Sequence, residues 1–462
     1  MRPLTGAHFL FASDTRCWGI VCFNTQGRTD LVGNIFKISA FTMKLRLLCV
    51  FTALSLSAVT ESHAEKFDLP KLKKDIVEKW EEDGKMFADL KLFIVGSQLV
   101  GSSGVPGAEA EAVLAPTVKI MDQLHLVGLY SGSYARKKQV YIEDRGNWLS
   151  TESMTHNFTP SLRYKHRKDL SFNISIFKTL NLSKETLDEQ WYNGLYDYQD
   201  IGIGIDTTYK VDAEGTLGRA ANLRLQYYSR EYPQYISLFT LADLGNIEEK
   251  EKDHKGLLLL GRISEKKTAI LSYSYELSIL SKSYTDKKIE TITWERESES
   301  QKDTTLTHTG TVSTVRPDGI IYGLNASYTV NTSNQNLAQG SITSGIFHRD
   351  YYSYTSIQVS PSMRFRYQHL DFKPVKVSVQ YSVSKTHYAN RLAKDTAGLL
   401  TGNRQEDTSH AFSTVVIYPL KEHLTAGAGF EFLRSNSNND YETFYRYDYE
   451  ILNFSAGIMY HY

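Results

Sequence analysis

From about residue 119 to the C-terminus, apolar and polar side chains alternate at every second position, and that period leaves few folds open. In the last segment Leu452, Phe454, Ala456, Ile458 and Tyr460 interleave with Asn453, Ser455, Gly457 and His461. Val375, Val377, Val379, Tyr381 and Val383 interleave with Lys376, Ser378, Gln380, Ser382 and Ser384. The same pattern recurs around Ala269–Ile279, Ile201–Tyr209 and Ile320–Val330. A helix would scatter these residues around its axis, whereas an extended strand sorts them onto two faces.

Weaker runs with this period lie near 124–134, 158–165, 170–177, 221–229, 257–263, 304–315, 357–367, 411–420 and 424–433. Together they predict about fourteen strands, within a range of roughly 12–16. The links between them alternate in length. Tight polar turns centre on Arg167-Lys168-Asp169, Ser264-Glu265-Lys266, Pro317-Asp318-Gly319 and Lys421-Glu422. Long polar segments fall between them at 178–199, 231–254, 281–303, 332–350 and 385–408. A soluble sandwich also alternates along its strands, but it does not predict short links at one end and long links at the other. The expected fold is therefore all-β: a transmembrane, up-and-down antiparallel barrel with its short turns in the periplasm. Pro160 and Pro361 occupy apolar positions of two strands, where each removes a ladder hydrogen bond, so a bulge or strand end is expected there.

Composition supports the barrel and closes other routes. Lys+Arg and Asp+Glu are equal at 52, which gives no overall basic charge to attract nucleic acid. A mean hydropathy of −0.35 excludes a bundle of membrane helices, each of which needs about 20 apolar residues. All three cysteines, Cys17, Cys22 and Cys49, lie near the N-terminus. There Met43, Lys44 and Arg46, the apolar run Leu47 to Val59, and Ser62 and Ala64 read as a secretory signal over 43–64; the run is short for a membrane anchor. Residues 1–42 upstream of it read as a mis-assigned start. Cleavage after Ala64 leaves a chain without cysteine, which rules out disulfide staples, thiol nucleophiles and Cys-ligated zinc.

Residues 65–118 show a different pattern. Leu69, Leu72, Ile76, Val77 and Trp80 stand at helical spacing behind Pro70, and Gly84 suits a stop. A short helix followed by the Gly/Ser/Ala-rich tract 96–115 is expected. It acts either as a cap on the periplasmic mouth or as a plug or partner-binding arm, with 65–95 as the surface for a periplasmic partner. The barrel itself is expected over 119–462.

The final octet, Ser455 to Tyr462, resembles the C-terminal β-signal of Gram-negative outer-membrane β-barrel proteins. Ser455 supplies the polar position, Gly457 the glycine, and Tyr460 and Tyr462 the terminal hydrophobic or aromatic positions. The resemblance implies a porin-like protein of the cell outer membrane, in contact with its lipid and lipopolysaccharide. It also implies insertion by the barrel-assembly machinery, which reads an unpaired terminal strand. It names no subfamily. The acidic and aromatic segment Asn436 to Tyr449 is similar to loops of barrels associated with exopolysaccharide export.

Strand register predicts which charges face the lumen. Arg163, Lys165, Lys210, Arg224, Arg262, Arg364, Arg366 and Lys376 outnumber Asp206, Glu276 and Glu431, a balance that favours anionic solutes. Arg364 and Arg366 share one strand face and are the expected constriction or anion contact. The competing reading is that these charges sit at the periplasmic rim or pair across strands. Tyr351, Tyr352, Tyr354, Tyr388, Tyr445, Tyr447 and Tyr449 read as an interfacial girdle or loop packing. No His-Glu-x-x-His or Gly-x-Ser-x-Gly motif follows the signal, and His308, His348 and His387 stand apart, so no catalytic residue, metal or cofactor is expected. The functional expectation is a channel for small polar, anionic solutes. Its rivals are an export or assembly component for a polysaccharide or lipid with periplasmic partners, and a barrel enzyme or adhesin.

Overall fold

In the computed structural model the alternating segments become paired strands. The structure describes residues 85–461, apart from short stretches at 100–104, 143–146, 185–188, 212–217, 236–249, 269, 294, 340–345, 369–372 and 442–446. In chain order the strands begin with β1 (Lys85–Leu99), β2 (Val105–Met121), β3 (Leu124–Ile142), β4 (Asn147–Lys165), β5 (Leu170–Lys184) and β6 (Tyr198–Lys210). They continue with β7 (Arg219–Glu231), β8 (His254–Lys266), β9 (Leu271–Glu290), β10 (Arg296–Val315), β11 (Ile321–Ser333) and β12 (Leu337–Gln339). The last are β13 (Ile346–His348), β14 (Tyr354–Tyr367), β15 (Val375–Lys394), β16 (Leu400–Lys421), β17 (Leu424–Ser437) and β18 (Tyr449–His461). All but β12 and β13 form one closed antiparallel barrel of 16 strands, each paired to its sequence neighbour, with β1 closing onto β18. β12 and β13 make a small hairpin within the β11–β14 link.

The fourteen strands expected from periodicity are all present as β3–β11 and β14–β18. The two additional strands, β1 and β2, come from the segment read as an extension, so the barrel starts at Lys85 rather than near 119. Their alternation is weak for a physical reason. Leu92-Phe93-Ile94-Val95 is an unbroken apolar run in the sequence, and the outer face of β2 is built from Ala108, Ala110 and Ala112, too small to stand out beside Glu109 and Glu111. On the inner side of this seam, Lys91 is buried between Glu111 (2.9 Å) and Asp89 (3.5 Å). The expected helix near 69–81, the signal at 43–64 and the leader at 1–42 lie outside the described residues, as does Tyr462.

Two expected loops are also strand. The 20-residue β9 and β10, and the 20- and 22-residue β15 and β16, absorb most of 281–303 and 385–408. Their upper parts are polar on both faces because they rise beyond the apolar band, where no lipid requires a hydrophobic side. Ladder pairing continues into these parts, with register shifts near their tips.

Register and exposure agree on which face is which. Ile201, Ile203 and Ile205 stand outward with their partners Leu225 and Tyr227, while Asp206 and Arg224 face inward as a pair. Leu257, Leu259, Leu324, Ile357, Phe454 and Ile458 continue the apolar outer band. The inner wall is coated with cross-strand hydrogen bonds: Thr179 Oγ1 to Asn157 Oδ1 (2.8 Å), Asn157 Nδ2 to Ser131 Oγ (3.2 Å), Asn325 Nδ2 to Thr311 Oγ1 (2.9 Å) and Gln358 Nε2 to Ser382 Oγ (2.8 Å). A closed barrel is the strand-built solution to crossing a bilayer, because it leaves no unpaired edge in hydrocarbon. Together with the apolar band and polar interior, closure places the chain in the outer membrane.

Pro160 and Pro361 cause neither a bulge nor a strand end. Each opens the ladder on one side only, β4–β5 for Pro160 and β14–β15 for Pro361, and the register resumes unshifted beyond it. A proline lacks one N–H, and that donor points at a single neighbour, so the other ladder stays intact. An arginine at Ile203, halfway along β6 on the lipid side, is expected to cost about 2–4 kcal/mol, whereas one at lumen-facing Thr208 costs little. Urea unfolding in lipid vesicles measures both, and a larger cost at Thr208 would mean the faces are reversed.

Candidate functional site

The inner wall holds two distinct levels of charged and aromatic residues. The lower lies at the short-turn end. Arg163, Lys165, Lys210, Arg262, Arg364, Arg366 and Lys376 all stand within four residues of that end, exposed and on the inner face. None of these seven forms an ion pair with a carboxylate among the described residues. Arg366 lies directly opposite Lys376. Like charges facing each other across a ladder oppose strand pairing, so strand pairing does not account for this cluster.

The structure divides the charges expected in the lumen. Asp206 and Arg224 bind each other in a salt bridge, and Asn173 Nδ2 reaches Asp206 at 3.5 Å, so this pair is part of the wall. Glu276 sits opposite Arg262 in register, and Glu431 accepts a hydrogen bond from Asn453 Nδ2 at 3.1 Å. Arg364 and Arg366 share the inner face near the short-turn end of β14, the rim position that the competing reading gave them. Of the β-signal residues, Ser455 and Gly457 face the lumen and Tyr460 faces lipid on β18, the closing strand.

The upper level is a collar that sequence reasoning missed. At the start of four descending strands, an aspartate or serine accepts a hydrogen bond from the backbone amide that ends the preceding strand. Asp197 takes Ser183 N (2.6 Å), Asp253 takes Tyr232 N (2.8 Å), Ser353 takes Ser333 N (3.0 Å) and Asp448 takes Ser437 N (2.6 Å). Each of these latches is followed by an inward aromatic ring: Tyr198, His254, Tyr354 and Tyr449. Tyr354 and Tyr449 are therefore not an outer girdle, and neither is Tyr388, which pairs with Tyr354 inside the barrel at a ring distance of 6.0 Å. Tyr445 lies outside the described residues. The Asp/Ser-aromatic dipeptide repeated at the foot of four of the loops is the signal that would have revealed the collar.

Cations are threaded between these rings. The Arg230 guanidinium lies 3.9 Å over Tyr198 and forms a two-bond clamp on Asp200 at 2.7 and 2.8 Å. Arg391 lies 4.3 Å from Tyr388 and 4.5 Å from Tyr351, and Lys287 lies 5.1 Å from Tyr352. Above the collar, Lys252 rests between Tyr196 (4.4 Å) and Tyr235 (4.7 Å). Burial there pushes its ammonium down to about 8, and Lys287 adds repulsion. A lysine pKa lowered on docking means that the undocked loop binds more protons between pH 8 and the ordinary lysine value. Docking is therefore expected to strengthen as pH rises through that window and to stay flat below it. Hydrogen exchange at Asp253 N, corrected for intrinsic rate, should show rising protection from pH 8 to 10, and Lys252→Met should abolish the trend.

The isolated histidines take up other positions. His308 lies on the outer face against Tyr275 Oη (2.6 Å), and His156 with Tyr130 (3.0 Å) and His410 with Tyr381 (2.7 Å) repeat the arrangement. Each pair satisfies two polar groups that would otherwise face lipid alone. His387 bonds Glu406 at 3.1 Å on the outer wall, and His348 is buried on β13.

No family model matches the sequence, and no curated protein matches it. Solved structures that it resembles are outer-membrane proteins. The loop-deleted OmpT of Vibrio cholerae shares 13% identity over 82% of this chain and 99% of its own, with a TM-score of 0.41. OpdQ of Pseudomonas aeruginosa shares 10% over 82% and 98% (0.42), and OccAB4 of Acinetobacter baumannii 10% over 82% and 98% (0.41).

Proposed function

We propose that this outer-membrane barrel is a channel for small polar solutes that favours anions. The observation supporting this reading is the cluster of cations at the short-turn mouth that form no ion pair among the described residues, with Arg366 set against Lys376. In a water-filled mouth walled by low dielectric, fixed charges of one sign concentrate counter-ions and repel co-ions. The paired Asp206–Arg224 in the wall above adds no net charge to that field. Transport of this kind needs no catalytic group, metal or cofactor. Assembly would proceed through β18, whose partner β1 is the strand that closes the barrel.

The test is conductance across a planar bilayer under a salt gradient. An open pore with a reversal potential on the anion side supports the reading. A folded barrel without conductance, or with cation preference, sinks it. A second reading, export of a saccharide polymer with periplasmic partners, is favoured by the collar, since aromatic rings interleaved with cations suit sugar rings bearing acids better than they suit simple ions. A conductance that appears only when a periplasmic partner is present would support that alternative.

A further inference from the structure

The cations of the lower level do not surround the mouth evenly. They stand on β4, β6, β8, β14 and β15. At the same level β16–β18 carry no lysine or arginine on the inner face. There Lys376 is followed across the ladders by Ile417, Gly427 and Gly457, and Ser378 by Val415, Gly429 and Ser455. The facing glycines take side chains out of the wall, so Val415, Ile417 and Met459 line a shallow apolar recess. Water in the lumen leaves that surface uncompensated, at about 25 cal/mol per Å².

β1 enters the barrel beside this recess. The strand order runs β16-β17-β18-β1, and Lys85 lies opposite Thr117, four residues above the end of β2 at Met121. Ile417 and Gly427 face each other at a matching height, four residues before Lys421 and three after Leu424. The chain that precedes β1 therefore starts level with the recess. Its sequence matches the mouth in two respects. Leu69, Leu72, Ile76 and Trp80 make one apolar stripe at helical spacing. A helix over 69–80 is about 18 Å long, enough for the three strand spacings of about 4.8 Å between β1 and β16. Asp75, Glu78, Glu81, Glu82 and Asp83 are offset only by Lys79, a net charge of −4 over 75–83. In the barrel order β6 and β8 stand opposite β17, so Lys210 and Arg262 lie across the mouth from the recess, while Lys376 flanks it.

We propose that residues 69–83 dock as a helix inside the periplasmic mouth, as a partial plug. Leu72, Ile76 and Trp80 cover the recess of β16–β18, and the carboxylates of 75–83 lie toward Lys210, Arg262 and Lys376. Hydrocarbon on the other side of the wall excludes those carboxylates. An apolar recess without a cover and a cluster of cations without a counter-charge are thus answered by one segment. Its covalent link to β1 gives it a roughly millimolar effective concentration, against which any free ligand must compete. A helix about 10–12 Å across narrows a lumen of this strand number without filling it. The docked segment therefore lowers conductance and offsets part of the anion preference. Only that consequence rests on the channel reading.

The test uses the full-length barrel folded in lipid vesicles, with Cys17, Cys22 and Cys49 replaced by serine. Ile76→Cys is combined either with Ile417→Cys at the recess or with Ser264→Cys on the inner face of β8, across the mouth. The first pair is expected to oxidise to a disulfide within one chain about tenfold faster than the second. Ile76→Asp together with Trp80→Asp, both upstream of β1, leaves every ladder intact. It should raise conductance about twofold, as a helix about 10–12 Å across leaves the mouth, and strengthen the anion preference. Equal oxidation rates for the two pairs overturn the docking, as do disulfides formed only between chains, the mark of a second copy in the recess. Conductance without the preferred disulfide removes the docking and leaves the channel. The preferred disulfide in a barrel that passes no ions removes the channel and leaves the docking.

Discussion

Replacing Arg364 and Arg366 together with glutamate is expected to weaken the anion selectivity of the pore about tenfold. The double change turns two positive charges into two negative ones beside Lys376, altering the mouth by four charges. At about 10 Å in water each contributes about 0.4 kcal/mol, so the sum approaches 1.7 kcal/mol, or roughly tenfold in relative permeability. The effect should be clear at 0.1 M salt, where the screening length is about 10 Å, and should fade at 1 M, where it is about 3 Å. Reversal potentials at the two salt concentrations give the answer. Unchanged selectivity at low salt would show that these arginines lie outside the conducting path. The Asp206→Asn, Arg224→Gln pair of changes serves as the contrast, because it removes a balanced pair and should leave the selectivity untouched.

A chain that begins at residue 119 is expected not to fold into a barrel, while one that begins at Lys85 should. The shorter chain retains β3–β18 but lacks β1 and nearly all of β2, so it loses the long β1–β18 and β2–β3 ladders. Two edges, on β3 and β18, would then stand unpaired in hydrocarbon, and each unsatisfied backbone group there costs several kcal/mol. The seam also loses the Lys91–Glu111 pair and the contact between His461 and Asp89 at 3.1 Å. Resistance to detergent at room temperature and to external protease distinguishes the two chains. A protected, heat-modifiable product from the shorter chain would mean that fourteen strands suffice.

How much of this was legible depends on how strongly lipid marks a residue. Ile201, Ile203 and Ile205 against Gly202, Gly204 and Asp206 could be read at once, because a bilayer requires apolar groups on one face of every crossing strand. Where that requirement weakens, the sequence falls silent. The alanines of β2 are apolar enough for lipid but too small to stand out, and the upper halves of β9, β10, β15 and β16 have water on both sides. The lumen charges were assigned to a face by parity alone. Their height was not, because parity has no vertical coordinate: only the position of Arg366 near the end of β14 puts it at the mouth. The collar depends on side chains converging from β6, β8, β14 and β18, a relation between distant segments that no local period contains.

The four latches at the necks of the long loops have a consequence for how such a surface can diverge. Asp197, Asp253, Ser353 and Asp448 each tie off the ladder at the point where the chain leaves the wall, so the wall is complete before the loop begins. What lies beyond a neck can lengthen, shorten or change its chemistry without any alteration in register passing down the strands. The loops are thereby uncoupled from the part that holds the molecule in the membrane. Lineages carrying this scaffold can replace the former while inheriting the latter unchanged.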